Sequence, residues 1–92
     1  MDILAALREA TLDPDVRVVT LARGPLIATL NKHDGTTAPV ELMNATTGRV
    51  LKTFPDKSLE DITEALLVKW VLHARGPIRV RCGDAVLWVT PS

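Results

Sequence analysis

From Ser58 to Cys82 the chain reads SLEDITEALLVKWVLHARGPIRVRC, and within this stretch the spacing of the apolar residues changes once. Up to Arg75 it is helical: Leu59, Ile62, Leu66, Trp70 and His73 recur at three and four, one stripe of a helix. Ser58 with Asp61 forms a capping-box pattern, in which side chains satisfy amides that the first helical turn leaves free. Glu60, Asp61 and Glu64 crowd the same end, where the helix dipole favours negative charge. Gly76 is the natural left-handed cap, and Pro77 forbids continuation. Beyond it the period falls to two. Ile78, Val80 and Cys82 alternate with Arg79 and Arg81, so a strand follows with both arginines on the side away from the apolar residues. Gly83-Asp84 is a two-residue loop that begins with glycine, and Ala85 to Thr90 completes a hairpin.

Working back towards the start, Val40 to Met43 and Arg49 to Phe54 flank Asn44-Ala45-Thr46-Thr47-Gly48, a loop suited to a type I turn closed by a left-handed glycine. Asn31 to Pro39 has no apolar rhythm and reads as the longest loop. Val16 to Ala22 and Leu26 to Leu30 are β-branched or apolar runs around Arg23-Gly24-Pro25, a third hairpin. Neither run alternates cleanly, which places both near the sheet centre or covered on two sides. Asp2 caps a first helix bearing Ile3, Leu7 and Ala10, with Leu4 and Thr11 beside them, and Asp13-Pro14-Asp15 ends it. The order is α-β-β-β-β-α-β-β. The expected fold is a single α+β domain over residues 1–92, an antiparallel sheet with both helices mostly on one face.

Composition narrows the function classes. Of 92 residues, 47% are apolar and 24% charged, a globular balance, and the net charge is zero, which advertises neither nucleic acid nor an anionic membrane. No run approaches the roughly 20 apolar residues of a membrane span. Cys82 stands alone, so no internal disulfide and no four-cysteine zinc site can form, and a reducing, cytoplasmic location is the simpler expectation.

Few residues suggest chemistry. His33-Asp34 pairs an imidazole with a carboxylate in the long loop, yet no nucleophile sits in a recognised local motif with it. His73 falls near the end of the second helix, and two distant histidines make no metal site by themselves. Cys82 shares the parity of Ile78 and Val80 and reads as a small core residue. The glycines form neither a phosphate loop nor a dinucleotide fingerprint. The expectation is therefore no enzyme, no cofactor and no metal.

Two features suggest contact instead. Ala65 to Ser92 holds four bases (Lys69, Arg75, Arg79, Arg81) against one acid, whereas Asp56 to Glu64 holds four acids against one base. Arg75, Arg79 and Arg81 make a basic strip for an acidic partner or for phosphates. The second helix is also apolar nearly all round. Leu67, Val68, Val71 and Leu72 lie off its main stripe and need cover, from elsewhere in the chain or from a second chain in a homodimer. The leading expectation is a non-enzymatic protein-interaction module, a small adaptor or inhibitor docking on a larger assembly. The alternative is nucleic-acid binding through the arginines, weakened because Phe54, Trp70 and Trp88 are the only aromatic rings.

The run from Thr47-Gly48-Arg49 through Phe54 to Leu66 resembles the hairpin-then-helix of arm-type DNA-binding domains in tyrosine recombinases. The shared features are two strands, a glycine turn and a capped helix. No defining residue is matched and no residue role is carried over. The α-β-β-β-α part of the order is similar to that of double-stranded-RNA-binding domains. The extra strand and the sparse bases at the start of the second helix depart from that pattern and speak against its function.

Overall fold

The computed structural model describes residues 3–31 and 39–92; the Asp2 cap and the His33-Asp34 pair lie outside the described residues. Helix α1 (Ile3–Ala10) precedes the hairpin β1 (Val18–Arg23) and β2 (Leu26–Asn31), then the hairpin β3 (Val40–Asn44) and β4 (Val50–Phe54). A 3-10 turn at Leu59–Asp61 leads to α2 (Glu64–Ala74), and β5 (Ile78–Cys82) and β6 (Ala85–Pro91) close the order. The six strands form one sheet in the order β1-β2-β6-β5-β3-β4, every neighbouring pair antiparallel. This is the expected α+β fold.

Alternation explains why the sheet has a wet face and a dry face. Leu26, Ala28 and Leu30 of β2 are buried, as are Val40 and Leu42 of β3, Ile78, Val80 and Cys82 of β5, and Ala85, Leu87 and Val89 of β6. Each set has one parity, so all point to one side of the pleat. Both helices lie on that side. Helix α1 packs on β1 and β2 through Ile3, Leu4 and Leu7, while α2 packs on β5 and β6 through Leu67, Trp70 and Val71.

Turn chemistry follows the residues that demand it. Gly48 takes φ +74 and donates to the Asn44 carbonyl at 2.8 Å, while the Asn44 side chain accepts from the amides of Thr46 and Thr47. Gly83 takes φ +57 at the start of its two-residue loop. These positions favour glycine because a Cβ disfavours the left-handed region.

Three expectations need correction. The first is the position of the N-terminal hairpin. β1 is an edge strand with Val18 57% exposed, and β2 buries only alternate residues. Apolar residues on the wet face had blurred the alternation.

The second is the single helix from Ser58. Ser58 and Asp61 do form the capping contact, with the Ser58 amide donating to the Asp61 carboxylate at 2.9 Å, but they cap only the 3-10 turn. Ile62 is extended, and Thr63 begins α2 afresh, its hydroxyl accepting from the Leu66 amide at 3.2 Å. The break rotates the helix face. Leu67, Trp70 and Val71 are buried, whereas Leu66 is only partly covered and His73 is exposed. The interruption is tied to α1 from both ends. The Arg8 guanidinium donates to the carbonyls of Leu59 and Ile62, and the Glu64 carboxylate accepts from the Ile3 amide at 3.0 Å. Glu64 thus sits at the start of both helices, where each dipole favours an anion.

The third is the helix end. Arg75, not Gly76, holds the left-handed conformation (φ 58, ψ 37). The Gly76 amide reaches back to the Val71 carbonyl and the Arg75 amide to that of Leu72, both at 3.3 Å, a Schellman closure one residue earlier than glycine would place it. A side chain in this region is disfavoured by about 1–2 kcal/mol, partly offset in a glycine variant by the greater freedom of its unfolded chain. Arg75→Gly is therefore expected to raise stability by about 1 kcal/mol, read as a higher urea midpoint. An unchanged midpoint would mean that Arg75 makes compensating contacts.

Candidate partner-binding surface

The face of the sheet opposite the helices has no element over it among the described residues. The strand registers align its side chains in rows. One row crosses all six strands: Thr20, Thr29, Trp88, Arg79, Met43 and Val50. The next row runs Val18, Asn31, Val86, Arg81, Glu41 and Thr53. Cross-strand neighbours at this spacing touch, and here they do. The Thr20 and Thr29 hydroxyls are 2.9 Å apart. The Arg79 guanidinium lies over the Trp88 ring, 5.1 Å from its centroid, and one of its nitrogens reaches the Met43 sulfur at 3.5 Å. Arg81 pairs with Glu41 at 2.7 Å.

Several large apolar side chains stand exposed on this face. Trp88 is 40% exposed, Val50 44% and Ile27 36%, beside Val18 at the β1 edge. Arg79 thus has Trp88 and Met43 as neighbours across the strands, and Arg81 has Glu41. The result is a mixed patch, with Trp88 near its middle between Thr29 and Arg79 and exposed apolar side chains towards its edges.

The structure places Arg79 and Arg81 together here, as the strand period implied. Arg75 stands in the other layer, at the end of α2. The four apolar residues set aside on α2 divide as well. Leu67 (0% exposed) and Val71 (6%) are covered within the chain, Val68 is partly buried against the core, and Leu72 alone is open, at 72%. Of the two explanations for the apolar sleeve, internal cover accounts for Leu67 and Val71. Cys82 is buried, and burial pushes its thiol from 9.0 up to about 11, which keeps it protonated and inert at neutral pH. Among the described residues no group of three or more His, Cys, Asp or Glu is placed to hold a metal ion. No described helix is long and apolar enough to cross a membrane.

Sequence reasoning passed over Trp88 as a surface residue. The signal was present: Val86, Trp88 and Thr90 alternate with Leu87 and Val89, which put Trp88 on the face of Arg79 and Arg81 once β6 paired with β5. No family model, no curated protein and no solved structure matches this chain.

Proposed function

We propose that this chain is a non-enzymatic protein-interaction module, a small adaptor or inhibitor that docks on a larger protein through the open face of its sheet. The observation that supports this reading is the uncovered row from Thr20 to Val50 with Trp88 at its middle. Exposed tryptophan and arginine at the centre of a patch are the residues that most often dominate protein contacts. A nucleic-acid strand is the weaker occupant. The Arg81 charge is already matched by Glu41, the Arg79 cation already lies on the one ring of that face, and strand binding needs successive rings and unpaired bases. A cytoplasmic setting suits a lone buried thiol.

Site-specific photo-cross-linking in the native host tests the reading. A photoreactive residue at Ile27, Val50 or Trp88 is expected to trap the same protein from all three positions. The same group at Glu9 or Glu60, both exposed beside the helices, is expected to trap nothing in common with them. Adducts with nucleic acid, or equal labelling from both layers, would defeat it.

A further inference from the structure

A groove opens on the other layer, between α2 and the β3–β4 edge, with a volume of about 450 Å³. We propose that it binds a small amphiphilic anion, an aromatic or branched apolar body carrying a carboxylate or phosphate. This site is separate from the open sheet face and does not depend on its role.

A bulge in β4 borders the groove. Leu42 faces Lys52 and Met43 faces Val50, so Leu51 is an extra residue on β4, and it lines the groove while staying 37% exposed. Bulges on edge strands re-aim side chains in this way. The apolar wall is Leu42, Leu66, Phe54 and Trp70, with the two rings stacked at 5.5 Å and 29°. A flat apolar body fits beside such a pair.

The rim is cationic. Lys52, Lys57 and Lys69 line the groove, and the ammonium groups of Lys52 and Lys57 stand over the same Phe54 ring, at 5.0 and 5.2 Å from its centroid. Among the described residues no acidic side chain lines it, and the ion pair found among them, Arg81 with Glu41, is on the far face of the sheet. Two like charges drawn to one ring, with a third beside them and no counter-charge among the described lining residues, suit an anion. The volume lies within the ~300–1,000 Å³ usual for small-ligand sites. A polyanion is disfavoured, because Asp56, Glu60 and Asp61 are exposed just along the chain from Lys57 and would repel its continuation.

Amide NMR titration of the full chain tests this with naphthoate and naphthyl phosphate, against the neutral naphthamide. Saturable shifts are expected at Lys52, Phe54, Lys69 and Trp70, with none at Arg81 or Trp88, for at least one anion. Lys52→Gln, Lys57→Gln and Lys69→Gln leave the core untouched, and at least two of them should each weaken the dissociation constant by about tenfold, the worth of one charge-assisted contact. The proposal fails if neither anion gives saturable shifts at millimolar concentration, if naphthamide binds as well, or if the lysine variants bind like the parent. It also fails if an acidic peptide with one phenylalanine between two aspartates binds more tightly than both small anions.

Discussion

Leu67→Asp is expected to leave no folded protein. Leu67 is fully buried where α2 meets β5 and β6. The substitution removes an apolar group worth about 2–5 kcal/mol when truncated in a core, and it adds an unpaired carboxylate whose burial costs several more. Against the total stability of about 5–15 kcal/mol typical of domains, that sum is ruinous. Leu72→Asp on the same helix is the control: Leu72 is exposed, and the change costs only the poorer helix propensity of Asp and its charge near the helix C-terminus, about 1 kcal/mol. Circular dichroism and size exclusion separate the two. The pair also distinguishes internal cover from a dimer, because a folded monomeric Leu67→Asp would mean that a second chain covers this face. Leu66→Ala should be milder than Leu67→Ala, since the rephased helix covers Leu66 only in part.

The second large effect is alkaline. Burial raises the Cys82 thiol from 9.0 to about 11 in the folded chain. The unfolded chain therefore releases this proton first, and the folded state binds more protons between the two values. The stability contributed by the neutral thiol is full below pH 9.0 and is lost as pH rises towards about 11, by about 2–3 kcal/mol in all. The measurement is a difference, so that everything the two proteins share in alkali cancels. The urea midpoints of the parent and of Cys82→Ala are followed across this pH range, and the parent should lose ground to the variant. The chain has no tyrosine to add a phenol titration. Parallel curves would show that the thiol is as well hydrated as in the unfolded chain.

Element order was legible because the punctuation is strong. Pro14, Gly24, Gly48, Pro77 and Gly83 each sit where one element gives way to the next, and local chemistry decides such points. What stayed hidden depends on partners remote in sequence. Thr63 is as good a cap by residue type as Ser58, and local chemistry does not say that both are used; the Arg8 contacts to the carbonyls at the break come from a segment more than fifty residues away. A phase error of that kind moves Leu66 and Leu67 to opposite sides of the core boundary. Arg79 and Arg81 could be put on one face from their spacing, but their neighbours Trp88, Met43 and Glu41 are set by strand pairing across the sheet. The basic groove was illegible for the same reason: Lys52, Lys57 and Lys69 belong to three separate segments.

The strand order carries a consequence for how the chain comes off the ribosome. β5 and β6 are made last yet lie in the middle, between a β1–β2 hairpin and a β3–β4 hairpin that do not touch each other in the sheet. Two-stranded hairpins are marginal in water on their own. Until residues 78–91 have emerged, the two earlier hairpins have no common sheet to join, and both present unpaired edges. The nascent chain thus gains its native pairing late, by the arrival of one hairpin that acts as keystone. Such long-range closure is slow, and the waiting edges are what aggregation and chaperones both recognise.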